Sequence, residues 1–393
     1  MLPNALAIRI SPPPHPGIPQ EQSVLGGPGE NGGMMCLDGP TFVATEGWDW
    51  IPAERDRDSG LWQDVRLVPS GQVKVGDPQV ATTLPRLQTG QSDTSQADVS
   101  ITVPLKNASQ ESVRGKLTAS FEGVAILREI TVTPGEQSVS LKRGDFPQLH
   151  LAHPRLWWPN GYGKAELYHL RVMFTEESGP TSVATSQFGV REVTYELSLF
   201  DGHGEMRRVE YSPTDDRDRE SPAVDVSDDG MRLISRKRGT AQAGASIAPS
   251  ADSASSFHAV ADAGPAPYLV IKVNGVRIAA RRGNWGIADA RKRVSREHLE
   301  PYFRLYRDAG LNIIRNWVGQ STEETFYQLA DEYGMMVWND FWDSTQNYNV
   351  EAADPQLFLE NARDTIMRFR NHPSIVLWCG RNECPGRSST KGW

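Results

Sequence analysis

The sequence of 393 residues predicts a multidomain chain of β and α/β class: an immunoglobulin-like β-sandwich, then the first half of a (β/α)8 TIM barrel. Three textures carry that reading. From Trp62 to Leu197 short segments alternate apolar and polar residues, from Tyr268 onward strand and helix patterns alternate, and a charged, low-complexity stretch lies between them.

The alternating segments include DVRLV (64–68), DVSITVPL (98–105), RGKLTASFEG (114–123) and SVSLK (138–142), with turn residues between them. LYHLRVMF (167–174) and SQFGVREVTYEL (186–197) continue the pattern. Many short strands at close spacing read as an antiparallel sandwich over 66–200. Residues 1–65 are different, Pro/Gly-rich and weakly patterned at first, and read as a linker or remnant. Residues 201–265, with GTAQAGASIAPSADSASS (239–256), read as a charged, low-complexity surface insertion, disordered at least in part.

After the insertion, PYLVIKVNGVRI (267–278) predicts a hairpin turning at Asn274-Gly275. Ser295 caps a helix over 296–309, with Leu299, Tyr302, Phe303, Leu305, Tyr306 and Ala309 as its apolar stripe and Gly310 as its stop. Pro301 leaves two positions open for the first turn. LNIIRNW (311–317) is the next strand. Ser321 and Glu324 form a capping box for a helix ending at Tyr333, before Gly334. MMVWNDFW (335–342) is a strand, and Asp354-Pro355 opens a helix with Phe358, Leu359, Ala362, Ile366 and Phe369 at helical spacing. SIVLWCGRNE (374–383) closes the series, so 266–393 reads as the N-terminal half of a barrel.

Bulk properties narrow the function classes. The net charge of -8, with Lys and Arg scattered, gives no support for nucleic acid or an anionic membrane as partner. No run of apolar residues is long enough to span a bilayer. The start, MLPNALAIRISPPPHPG, is a poor signal peptide, and a cytoplasmic location is expected. Cys36, Cys379 and Cys384 form no disulfide framework. Cys379 and Cys384 with His372 lack the paired spacing of metal ligands, so no metal is expected. A nicotinamide or nucleotide enzyme is excluded for want of a Gly-rich loop after the first strand, and no cofactor is expected.

In a (β/α)8 barrel the chemistry sits where strands exit at the C-terminal face. The first candidate strand, near Arg277–Ala280, leads to Arg281, Arg282, Asn284 and Trp285, with Asp289 beyond. The second brings Arg315, Asn316 and Trp317, the third Trp338, Asn339, Asp340 and Trp342, the fourth Arg381, Asn382 and Glu383. Amides, carboxylates and indoles converging on one cleft suit a sugar, which offers hydroxyls and apolar C–H faces. Glycosidic cleavage needs a proton on the leaving oxygen, and Glu383 is placed to supply it. It needs a second carboxylate as well. Asp340 is open to three readings: that second acid, an acceptor for substrate hydroxyls, or an ion-pair partner of Arg315.

At this point the chain resembles glycoside hydrolase family 2, in its β-mannosidase, exo-β-glucosaminidase and endo-β-mannosidase branch. The likeness rests on GWDWIPAERDRDSGLWQDVRL (47–67), LWWPNGYGKAELYHL (156–170), FGVREV (188–193), RGNWGIADA (282–290), LNIIRNWVGQ (311–320), MMVWNDFW and RNHPSIVLWCGRNE (370–383). It implies that the early residues are the tail of a sugar-binding jelly roll. It implies a retaining mechanism with Glu383 as general acid/base and Asn382 touching the sugar's 2-position substituent. It implies subsite roles for Asn284, Trp285 and Asp289, and a place near the site mouth for Trp48, Asp49 and Trp50. Arg281 is then expected to meet a buried acid. The family's nucleophile is a second Glu on a later strand, so the chain is expected to be a fragment, inactive alone. The substrate implied is a terminal β-mannoside or β-glucosaminide. A β-galactosidase or β-glucuronidase type is less consistent with RRGNWG at 281–286, and a non-catalytic carbohydrate-binding fragment is the alternative.

Overall fold

The computed structural model describes residues 6–11, 18–19, 33–34, 60–61, 63–88, 90–216, 219, 221–227, 229–237, 240–251, 256–260, 269–286, 293–342 and 352–380. The chain divides into two compact units, one holding Ser70–Ala280 and the other Arg281–Pro385 with Met1–Pro69.

In the first unit, nine strands build the sandwich: β1 (Val73–Val75), β2 (Gln79–Thr83), β3 (Gln96–Asn107), β4 (Val113–Phe121), β5 (Val124–Val132), β6 (Gly135–Leu141), β7 (His150–Ala152), β8 (Tyr168–Glu176) and β9 (Thr181–Phe188). One sheet is organised around β3, which pairs with β1, β2, β6 and β7; the other runs β9-β8-β4-β5, all antiparallel. Alternation explains the layer between them. Along β3 every second residue, Ala97, Val99, Ile101, Val103 and Leu105, is buried, facing Leu117, Leu170 and Phe174 of the other sheet in one core. Gly115 is required where the sheet meets Phe174, since a Cβ there would lie 2.5 Å from its ring. DVRLV is not part of this sandwich. Residues 64–68 form no strand and Leu67 is 95% exposed, because alternation cannot make a strand without a partner edge.

Between 201 and 260 the described residues form more regular structure than the composition suggests. Strands β10 (Val193–Phe200) and β11 (Met206–Tyr211) pair antiparallel, and β12 (Val224–Asp225), β13 (Arg232–Lys237), β14 (Thr240–Gly244), β15 (Ser246–Ile247) and β16 (Phe257–Ala259) follow. All but the β13–β14 ribbon join a sheet in the order β12-β15-β10-β11-β16. Leu199, Val209, Ala223, Ile247 and Ala251 give this sheet its own small core. β17 (Leu269–Val273) returns to pair with β10, and turns into β18 (Val276–Arg277) through Asn274 and Gly275, both with positive φ (49° and 77°) as a two-residue hairpin demands.

The second unit contains four parallel strands in sequence order: β19 (Arg282–Trp285), β20 (Ile313–Asn316), β21 (Met336–Asp340) and β22 (Ile375–Cys379). Helices α1 (Arg296–Asp308), α2 (Glu324–Tyr333) and α3 (Pro355–Phe369) connect them. This is the right-patterned half of a barrel. Trp285, Ile314, Val337 and Ile375 pack on Leu299, Phe303, Phe326, Leu329 and Phe369 of the helices. Ser295 and Asp354 cap α1 and α3 through side-chain oxygens that accept from His298 and Leu357 amides. Gly334, at φ 64°, ends α2. Pro301 falls inside α1, whose start at Arg296 decides the open question. Leu305, expected in the α1 stripe, is 63% exposed, so Leu299 and Phe303 alone are fully buried.

Candidate active site

The first strand begins later than the sequence suggested. Arg282, Gly283, Asn284 and Trp285 form β19 itself rather than following it, and Arg281 donates from Nε to the Gly310 carbonyl, with no acid paired to it among the described residues. Registers align the strand ends in two rows: Asn284, Arg315, Trp338 and Leu377, then Trp285, Asn316, Asn339 and Trp378. Successive residues point to opposite faces, so the two rows serve different layers.

The second row is turned to the helices. Asn316, fully buried, donates to the Ser321 carbonyl (2.9 Å) and to Asn339 Oδ1 (2.8 Å), and its own Oδ1 accepts from Ser321 N (3.0 Å). Tyr327 of α2 donates toward Asn339 Oδ1 at 2.8 Å. Trp285 packs among Tyr302, Phe303, Tyr306 and Phe326, and its indole N–H donates to Ser321 Oγ at 2.9 Å. The expected capping box is absent for this reason. Ser321 is committed to Trp285 and Asn316, and α2 begins after Glu323 with no side-chain cap. Asn316 and Trp285, expected to touch sugar, have their polar groups engaged within the sheet–helix layer.

The first row and Asp340 lie on the face away from the helices. Asn284 is exposed. Arg315 lies 2.7 Å from Asp340 Oδ2 through Nη2, and its Nε reaches both carboxylate oxygens (3.2 and 3.0 Å). The same guanidinium sits 5.0 Å from the Trp338 ring centroid, with Arg282 at 5.9 Å. Asp340 is fully buried and also accepts from Val318 N at 3.2 Å. Burial pushes its carboxyl above the ordinary aspartate value, although Arg315, Val318 and Cys379 all favour the charge.

The loop after β20 is shaped around that carboxylate. Trp317–Gly319 makes one tight turn in which Val318 (φ 52°) and Gly319 (φ 59°) are both left-handed. A β-branched residue there is strained, and a Cβ on Gly319 would lie 2.5 Å from the Asp340 carbonyl oxygen. Trp317 and Trp342 are buried, and Trp342 crosses Phe341 and Phe358 edge-on. The indole N–H groups of Trp338 and Trp342 have no hydrogen-bond partner among the described residues. β22 pairs with β21 so that Cys379 stands opposite Asp340, and Phe341 N donates to the Cys379 carbonyl at 2.8 Å. Asn382 and Glu383 follow four residues or fewer after that strand and lie outside the described residues, as do Trp48, Asp49, Trp50 and Asp289. Ser321, Tyr327 and Glu323 were missed by sequence reading. The single signal for them was a Ser–x–Glu–Glu run that resembled a cap.

No cluster of three or more metal-ligating side chains occurs among the described residues, and no described helix is long and apolar enough to cross a membrane.

Comparisons with known proteins bear on this geometry. The pattern described as Glycosyl hydrolases family 2 matches residues 83–191, and that family's TIM barrel domain matches 288–392. Mannosylglycoprotein endo-beta-mannosidase of Lilium longiflorum is 28% identical over 397 residues, covering 97% of this chain and 34% of the relative. Beta-mannosidase B of Emericella nidulans is 24% identical, covering 86% and 31% respectively. Exo-beta-D-glucosaminidase of Streptomyces avermitilis is 24% identical, covering 86% and 30%. Among solved structures, beta-D-mannosidase from Dictyoglomus thermophilum superposes with a TM-score of 0.55 at 25% identity, over 86% of this chain and 32% of that one. The Amycolatopsis orientalis exo-chitosanase shares the fold at a TM-score of 0.51 and 18% identity, over 79% of this chain and 28% of that one. The chain thus spans about a third of the length of the curated relatives it matches. Two domains of one family cover more than half of the sequence, in the order in which the sandwich and the parallel strands occur, and the chain belongs to glycosyl hydrolase family 2, in its β-mannosidase and exo-β-glucosaminidase-like branch.

Proposed function

We propose that this chain supplies the acid/base half of a retaining glycosidase that removes a terminal β-mannoside or β-glucosaminide from a glycan or oligosaccharide. The observation that carries the reading is the in-register parallel sheet. Its β22 strand ends opposite Asp340, just before Asn382 and Glu383 in the sequence, beside a face bearing Asn284, Trp338 and the Arg315–Asp340 pair. In this reading Glu383 gives its proton to the glycosidic oxygen as the bond to the sugar's anomeric carbon breaks. A second carboxylate, assigned to the part of the protein that matches the rest of the relatives, attacks that carbon, and Glu383 then takes a proton from the water that releases the sugar. Asn382 and Asn284 hold sugar hydroxyls, while the buried Asp340 holds Arg315 and the loop after β20 in place and the buried Trp317 and Trp342 pack behind the cleft. Trp48, Asp49 and Asp289 complete the rim. Asn316 and Trp285 act indirectly, by holding the strand ends.

The test uses the open reading frame at the length of its relatives and a panel of p-nitrophenyl β-glycosides. Release of p-nitrophenol from the mannoside or glucosaminide is expected, and no turnover on any member sinks the proposal. Glu383→Gln is expected to lower kcat/KM by about 10²- to 10⁴-fold for poor leaving groups and to spare the first step for activated ones. An equal loss on both would contradict the acid role.

A further inference from the structure

Glu323 stands between the last residue of the strained β20–α2 loop and the first turn of α2, and only 4% of it is exposed. Neither carboxyl oxygen makes a hydrogen bond of good geometry with a described residue. The donors within its reach are the Ser321 hydroxyl and the backbone amides of Thr322 and Glu323 itself. Charged and titratable neighbours are sparse. Arg368 of α3 is the cation that acts on it, and Arg368 already lies 3.6 Å from Glu324. On its own helix Glu323 faces Tyr327, which is fully buried and hydrogen-bonded to Asn339. A carboxylate so placed is poorly compensated. Burial is the largest influence, and it pushes the carboxyl up to about 7.

The connection to the proposed site runs through one hydroxyl. Trp285 Nε1–H donates to Ser321 Oγ, so the Ser321 O–H hydrogen is free to point at Glu323. Trp285 is the last residue of β19, next to Asn284 on the opposite face. Ser321 N is also held by Asn316 at the end of β20. One carboxyl thereby sits behind the exits of two neighbouring strands.

We propose that Glu323 is a positioning residue of the active site, a proton-carrying carboxyl that fixes the exits of β19 and β20 through Ser321, Trp285 and Asn316. With its proton on, the group is neutral and the buried loop closes over it. Loss of the proton leaves an anion that must draw in water or move toward Arg368. Either movement passes through Ser321 to Trp285 and disturbs Asn284. The catalytic consequence rests on the glycosidase reading above; the protonation does not.

Two measurements separate those parts. In this chain labelled with carboxyl-¹³C glutamate, one signal is expected to titrate near neutrality and to vanish in Glu323→Gln. Glu323→Asp provides the same assignment if the glutamine variant fails to fold. A Glu323 signal titrating below about pH 5, the ordinary carboxylate range, overturns the proposal. In the enzyme at the length of its relatives, the alkaline limb of kcat/KM is expected to steepen toward the loss of two protons, one of them from Glu383. Glu323→Gln is expected to return it to one, with turnover at acidic pH retained. An unchanged limb overturns the positioning role. Absence of all glycosidase activity, with the titration near neutrality intact, overturns the proposed function and leaves the proton on Glu323 standing.

Discussion

Two buried acids in the sheet of the first unit and two at the strand exits of the second are compensated to different degrees. In the sheet of β10, β11 and β17, Glu196 lies 2.7 Å from both Arg208 and Arg277, and Glu210 is held by Lys272, by Arg86 at 3.1 Å and by Thr194 at 2.9 Å. At the ends of the parallel strands, Asp340 has one cation, Arg315, among the described residues, and Glu323 has no close one. Burial opposes the charge at both Glu210 and Asp340, yet it loses at Glu210, whose carboxyl is held below its ordinary value, and wins at Asp340, which is raised. The difference is compensation rather than depth. Acids compensated twice knit strands together. Asp340 and Glu323, compensated once or not at all by cations among the described residues, have raised proton affinities, and both lie where the parallel strands exit.

The strongest way to break that contrast is to remove the single partner. Arg315→Met leaves Asp340 buried with, among the described residues, the Val318 amide and the Cys379 thiol for support. A loss of about 3–5 kcal/mol is expected in urea denaturation, as for other buried pairs deprived of one member. The loss is expected to shrink at acidic pH, where Asp340 takes up a proton. A cost that does not depend on pH would show that the guanidinium matters through its stacking on Trp338 instead.

His372 sharpens the contrast from the cationic side. It lies just before β22, its Nδ1 2.6 Å from Asp331 and its Nε2 3.2 Å from Glu324. Asp331 also accepts from Ser374 N, so the pair ties α2 to the start of the strand. Burial, the largest influence, disfavours the charged ring, but Asp331 and Glu324 together outweigh it and raise the pKa to about 9. The folded value lies above the unfolded one, so the stabilisation is complete below about pH 6.5 and disappears as pH rises through about 9. Its size is roughly 3 kcal/mol. Glu323, also raised, has the same sign in an earlier window, so stability is expected to fall in two steps, first from about pH 4.5 to 7 and then toward 9. His372→Gln should remove the second step and leave the first. A curve that keeps both steps in that variant would refute the assignment.

Legibility in the sequence follows the same division. Sandwich strands, helix caps at Ser295 and Asp354, stops at Gly310 and Gly334, and the Asn274-Gly275 hairpin were readable because each depends on neighbours within a few residues. The exits were readable as a set of residue types. Their facing was not, since it depends on where β19 starts and on which row meets α2. A shift of a few residues turned Asn284 and Trp285 from a loop into a strand, and alternation then sent them to opposite faces. Ser321 looked like a cap because Glu324 followed at the right distance. Only the fold shows Trp285, 36 residues away in sequence, claiming its hydroxyl. The stretch 201–260 misled in the other direction. Its Ser/Ala/Gly content hid short strands held by pairing, two of them directly with β10, and by a small core to which Val209, Ala223, Ile247 and Ala251 contribute.

Glu210 provides the mildest test, because both of its cations have somewhere to go. Their side chains are 14% (Lys272) and 23% (Arg86) exposed, so long flexible stems can carry the charges to solvent once the carboxylate is gone. Glu210→Gln keeps the shape and an acceptor for Thr194, and its expected cost is about 2 kcal/mol, below that of Arg315→Met. The sign with pH also differs. Glu210 is depressed in the fold, so its contribution is present above the ordinary glutamate value and fades as pH falls through its lowered one. The wild-type advantage over Glu210→Gln should therefore shrink in acid, as that over Arg315→Met does, but from the opposite cause. One acid loses its attraction to two cations, while the other escapes the penalty of an unpaired charge. Equal losses from the two variants at neutral pH would mean that the number of partners does not decide how a buried acid behaves in this fold.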